Sequence, residues 1–215
     1  MSKHLLIELQ YLPPVQYFAS LARAPVVLLE AHEHYQKASY RNRAHIAGAN
    51  GVLRLSVPLE KGKNEQQPIR EVRIAHHERW QALHWESIRS AYGNAPFFLH
   101  YADVLAPFYQ QKYTWLWDWN FDLLQLLLSA CQLQIEVQLS DAYYSTPPPH
   151  LLDLRNAIHP KTQRQQPEPA FKPTRYPQVF EEKQGFLPNL SILDLLFCTG
   201  PETAPILKTS SEKAF

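Results

Sequence analysis

The chain has 215 residues, 45% of them apolar, and a formal net charge of +1 with histidine neutral. That length suits one domain with a sizeable core, and the lack of any lysine or arginine run argues against a dedicated nucleic-acid binder. Two cysteines make no metal motif and fit a reducing cytosol, and the longest apolar stretch, 123–131, holds Gln125 and falls far short of the ~20 residues that span a bilayer.

Residues 4–9 read as a short strand, closed by Leu12-Pro13-Pro14. Residues 15–22 predict a helix with Tyr17, Phe18 and Leu21 inward. Residues 26–30 predict a buried strand, and the strand–helix–strand order makes the first two strands parallel. Asn50-Gly51 marks a hairpin between 44–46 and 52–57. After a polar loop at 61–68, residues 69–74 alternate apolar with charged and read as another strand.

From His76 the pattern turns helical. Trp80, His84, Ile88 and Ala91 share one face, with Gly93 as the C-terminal cap. Pro96 suits the first turn of a second helix, which Pro107 ends. Residues 115–132 form the longest helix, and 135–139 a strand. Residues 145–177 carry eight of the 18 prolines and are expected to form an irregular arm, with 151–155 and 158–161 as docking points. Residues 191–199 are a helix opened by a Ser191/Asp194 capping box and stopped by Gly200-Pro201. No signal peptide fits the N-terminus, so the expected location is cytoplasmic. The expected architecture is α/β. A small mixed β-sheet from the N-terminal half packs with helices, and a proline-rich arm leads to a C-terminal docking helix. One domain is expected over 1–207, with a flexible tail at 208–215.

The segment 32–43 gathers histidines, a carboxylate, tyrosines, a lysine and two arginines directly past the apolar strand, where open α/β sheets bind ligands. His32 and His34 are the candidate bases, because proton transfer at neutral pH suits imidazole. Glu33 is read as orienting one of them or a substrate ammonium. His32 and His34, sharing a strand face, would need a third ligand such as His45 or His159 to hold a metal. No multi-ligand spacing is present, so no metal is expected and no cofactor is named. His159 is read as reaching over the site from the arm. Lys37, Arg41 and Arg43 are candidate anion clamps, with the two arginines together by strand period. Asn42, on the other face, binds either backbone or ligand. Asn94, in the turn 92–98, is a candidate for the cleft edge. Six glycines and no GxGxxG or GxxxxGK[ST] speak against a phosphate-cradling loop. No GxSxG elbow is present, and neither Cys131 nor Cys198 sits where a thiolate is favoured.

Several stretches taken together resemble the WbqC-like family of bacterial proteins. They are Gln10-Tyr11 with Tyr17-Phe18, the run from Tyr35 to Arg43, Asn50-Gly51 before Leu55-Ser56-Val57-Pro58, Trp80 with Ile88, and Ala91 to Phe98. Trp119-Asn120 and the run from Phe186 to Phe197 before Gly200-Pro201 complete the pattern. The resemblance adds Gln10, Tyr11 and Tyr35 to the candidate binding residues. It implies a role in surface-polysaccharide or O-antigen synthesis, with acyl or aminoacyl (glycyl) transfer to a sugar or nucleotide-sugar. The alternative is a non-catalytic module that binds a small molecule or partner in the same pathway.

Overall fold

The computed structural model describes residues 4–60, 67–161 and 171–210. Leu5, Leu6 and Ile7 of strand β1 (His4–Glu8) are fully buried. Such a continuous aliphatic run belongs in a parallel sheet covered on both faces. β1 is accordingly central. It pairs in parallel with β2 (Val26–Glu30) on one side and with β6 (Leu151–Asp153) on the other. β5 (Glu136–Leu139) extends the sheet beyond β2, giving the order β5-β2-β1-β6. Helix α1 (Val15–Leu21), buried along its whole length, makes the β1–β2 crossover.

The hairpin β3 (Arg43–Gly48) and β4 (Gly51–Ser56) forms a separate antiparallel pair, turning at Asn50-Gly51 as expected. Helix α2 (Trp80–Tyr92) buries Trp80, His84, Ile88 and Ala91, the face read from the sequence. Helices α3 (Phe98–Leu105) and α4 (Leu116–Ala130) follow, and α4 is the longest. A short turn of helix, α5 (Glu181–Gln184), precedes α6 (Ile192–Thr199) and α7 (Thr203–Thr209). Before α6, the Ser191 N–H donates to the His45 carbonyl at 2.7 Å and the Val15 N–H to the Leu190 carbonyl at 2.9 Å. The entry to α6 therefore ties the hairpin to the start of α1.

Four expectations change. Residues 69–74 are not a strand. Ile69–Glu71 is a 3-10 turn, and Ile74 and Arg73 make only isolated bridges to Leu59 and Trp115. The arm is not wholly irregular, because Leu151–Asp153 finds an open edge on β1 and becomes β6. Gly93 does end α2, but with a right-handed φ of -56°, so the left-handed cap is absent. Residues 208–210 are not frayed. Ser210 is buried, and its carbonyl accepts from the Lys172 N–H at 3.0 Å, so it fastens the arm. Parts of the loop at 61–68, of the arm at 145–177 and of the tail lie outside the described residues.

Candidate active site

Three aliphatic runs end on acids. Leu5-Leu6-Ile7 leads to Glu8, Val27-Leu28-Leu29 to Glu30, and Leu151-Leu152 to Asp153. The strands are parallel, with Glu8 opposite Glu30 and Asp153 opposite Leu6, so these carboxylates gather toward one end of the sheet. It is the carboxyl end, where open α/β sheets place their ligands.

Glu8 and Glu30 are buried, and buried carboxylates require donors. Glu8 accepts from Gln10 Nε2 at 2.7 Å and from the Asn156 N–H at 2.9 Å. Asn156 has a left-handed φ of 62°, which asparagine tolerates, and its Oδ1 accepts from Arg41 Nη2 at 2.8 Å. Glu30 accepts from the His32 N–H and the Ser140 hydroxyl, each at 2.9 Å, and from Arg155 Nη1 at 2.8 Å. Arg155 also donates through Nε and Nη2 to Asp153, at 3.0 and 2.8 Å, and through Nη2 to the Tyr144 carbonyl at 2.7 Å.

Arg41 meets Glu33 in a bidentate ion pair, with Nε on Oε1 at 2.7 Å and Nη2 on Oε2. Both are buried. Burial pushes the Glu33 carboxyl up to about 7, against the opposing pull of Arg41, and the nearby Glu8 and Glu30 add to the rise. Burial lowers the Arg41 pKa, but Glu33 and Glu8 more than offset it, and the net shift is upward. The loop carrying this pair is pinned on several sides. Glu33 O accepts from the Ile69 N–H, Tyr35 N–H donates to Gln67 O, and Asn120 Nδ2 from α4 donates to Arg41 O. Beside the pair opens a cleft of about 260 Å³, lined by Glu33, His34, Gln36, Tyr143, Arg155 and Asn156.

The sequence candidates divide. Gln10 and Glu33 belong to the buried network, and His34 lines the cleft. His32 contributes its backbone N–H to Glu30, while its side chain is exposed and outside the cleft lining. The two histidines lie on a loop, not a strand, because only His34 makes a bridge, to Pro68. Tyr11 is a core residue, with its hydroxyl 2.9 Å from His84 Nδ1 and 3.2 Å from the Tyr109 hydroxyl. Tyr35 and Asn42 bond to each other at 2.9 Å, and Asn42 also holds the Val57 carbonyl. Arg41 and Arg43 do not act together. Arg41 is sealed in its ion pair, whereas Arg43 starts β3 near His45, whose pKa is lowered by burial and by Arg54 and Arg43. Lys37 and Asn94 are exposed and outside the cleft lining; His159 also lies outside it, but is buried and accepts the Lys161 N–H at Nδ1. Among the described residues no group of three His, Cys, Asp or Glu could hold a metal ion. Both cysteines are free and buried, and burial pushes Cys198 up to about 12 and Cys131 higher still. Neither is a thiolate at neutral pH.

The sequence model of the WbqC-like protein family matches residues 10–167, a span that carries the network from Gln10 to Asn156. This chain belongs to the WbqC-like protein family. It is also similar to an uncharacterized protein of Mycobacterium tuberculosis, Rv1507c, with 28% identity over 233 aligned positions that cover 97% of this chain and 98% of the relative. No solved structure matches it.

In this WbqC-like chain, sequence reasoning missed Glu8, Glu30, Tyr143, Arg155 and Asn156 as site residues. A signal for the acids was present: three of the four parallel strands, β1, β2 and β6, are aliphatic runs that close on a carboxylate. A strand end buried for packing alone has no use for a charge there.

Proposed function

We propose that the cleft is the active site of a small-molecule transferase that passes an acyl or aminoacyl group to a sugar or nucleotide-sugar in surface-polysaccharide synthesis. One observation carries this reading. A carboxyl raised to about 7, Glu33, stands on the wall of an open cleft at the carboxyl ends of parallel strands. In the proposed reaction an amine or hydroxyl of the acceptor attacks the acyl carbon of an activated donor. The new bond forms as the bond to the leaving group breaks, and Glu33 takes the acceptor's proton. The exposed His34 imidazole, on the same wall, passes that proton to solvent. Two free cysteines suit a cytoplasmic location.

A second reading has its own support. Both oxygens of Glu33 are engaged by Arg41, and a carboxylate so held is a structural element as much as a base. On that reading the chain is a binding module of the same pathway. Rate assays with a panel of amino-sugars and nucleotide-sugars, each with activated acyl donors, separate the two. Transferase activity predicts turnover that Glu33→Gln and His34→Ala reduce by at least about tenfold with a smaller change in KM. Ligand binding with no turnover for any donor would leave the binding module.

A further inference from the structure

We infer that the cleft holds a single sugar ring, uncharged or amino-substituted, stacked on the open face of Tyr143, and that it rejects phosphate. This deepens the reading above and rests on the same cleft. Tyr143 is 56% exposed and yet fixed. One face of its ring is covered by the Arg155 guanidinium, with Cζ 4.8 Å from the ring centroid. Arg155 is itself held by Glu30, Asp153 and the Tyr144 carbonyl. A preplaced aromatic surface in a polar cleft is a platform for the apolar C–H face of a sugar, whose hydroxyls then meet polar groups around it. Glu33 offers a carboxylate, and Gln36 and Asn156 offer carboxamides.

Size and charge narrow the ligand. At about 260 Å³ the cleft falls below the roughly 300–1,000 Å³ of sites for drug-sized ligands, so it encloses about one ring, and any larger part of a ligand would lie outside it. The guanidinium on the cleft wall is already bonded to two carboxylates, and Arg41 is bonded to Glu33. Across the connected network four carboxylates (Glu8, Glu30, Glu33 and Asp153) face two guanidiniums (Arg41 and Arg155), an excess of two negative charges when all are ionised. The cleft lining itself carries the Glu33 carboxylate and the Arg155 guanidinium, and Glu30 and Asp153 already neutralise the latter, so a phosphate finds no unpaired guanidinium there and is opposed by the acids behind it, while an amino substituent can meet Glu33. With a cation already on one face of Tyr143, its other face favours an apolar surface over a second cation. The amino group then points at Glu33 and the C–H face at the ring.

The test uses the full chain and four probes: glucose, glucosamine, N-acetylglucosamine and inorganic phosphate. Saturation-transfer NMR and titration should find at least one of the sugars bound through its ring C–H protons, with no competition from phosphate. Tyr143→Ala should weaken that sugar by at least about tenfold, while Tyr143→Phe and Tyr143→Trp stay within about threefold. Tyr143 is exposed, so these variants keep the fold, which circular dichroism verifies. Binding by none of the three sugars, competition by phosphate, or unchanged binding in Tyr143→Ala would each overturn the inference. The two readings also fail separately. Sugar binding that depends on Tyr143 without turnover removes the transferase and leaves the platform. Turnover indifferent to Tyr143 removes the platform alone.

Discussion

Glu8 and Glu30 are register partners on adjacent parallel strands, and both are buried. Two carboxylates side by side at a dry strand end repel each other unless each has its own donors. They do: Glu8 takes Gln10 and the Asn156 backbone, and Glu30 takes Ser140, Arg155 and the His32 backbone. Glu33 and Arg41 close the cluster on the loop side. The carboxyl edge of the sheet is thus a rigid polar plate beneath the cleft.

The Glu33–Arg41 pair should be costly to halve. Arg41→Met leaves Glu33 buried without its partner and Glu8 without the nearby positive charge. The expected loss is about 3–5 kcal/mol, the usual cost of breaking a buried ion pair from one side. Arg41→Met combined with Glu33→Leu should recover part of it, because neither charge is then orphaned. Urea denaturation of the two single variants and the double variant measures the coupling. Strictly additive losses would show that the pair is not an energetic unit.

His84 predicts an acid limb in stability. It sits against Trp80 and Tyr11, and burial lowers its pKa to about 4 from 6.5. The folded protein therefore binds this proton less readily than the unfolded chain. His84's contribution is complete above the unfolded pKa and is lost as pH falls from about 6.5 through about 4, on the order of 3 kcal/mol. The difference in unfolding free energy between wild type and His84→Gln should shrink over that window as the pH drops. A difference that stays constant from pH 7 to pH 4 would mean that His84 is not held neutral.

Ser191 caps α6. Its hydroxyl oxygen accepts the Leu193 N–H at 3.4 Å. The expected reciprocal half of the capping box is missing, because Asp194 instead accepts from Tyr176 and Gln178 at 2.8 and 2.7 Å. Ser191→Ala should cost about 1 kcal/mol in a denaturation midpoint. Asp194→Ala should cost more, since it strips two donors of their acceptor in the core.

Gly200 closes α6 at φ 52° and ψ -118°. A Cβ there would lie 2.4 Å from the Phe97 ring, well inside any tolerated contact. Gly200→Ala thus combines backbone strain with a clash, and a loss of at least about 1–3 kcal/mol is expected. Adding Phe97→Leu should relieve the clash and leave only the backbone cost. Thermal melts of the single and double variants separate the two contributions.

Much of the local structure was legible in the residues themselves. The run 26–30 became β2 without change, Asn50-Gly51 made its turn, and the buried face of α2 followed from Trp80, His84, Ile88 and Ala91. Each depends on interactions within a few positions, which periodicity and turn chemistry report directly. Residues 69–74 misled for the same reason. Their alternation is real, but no partner strand lies along them, so a 3-10 turn and two bridges take its place.

The site was legible only in part. The sequence by itself determined that polar residues crowd the loop after β2 and that the aliphatic strand runs end on acids. Only the tertiary structure decided which of them meet. Glu8 finds the Asn156 backbone 148 positions away, and Glu30 finds Arg155 125 positions away. Arg41 is sealed against Glu33, while Arg43, two residues on, turns to the hairpin. Such choices rest on burial, because an unpaired charge in the interior costs far more than a solvated one. The chain must bring distant donors to each buried carboxylate, and no local pattern records which donor that will be.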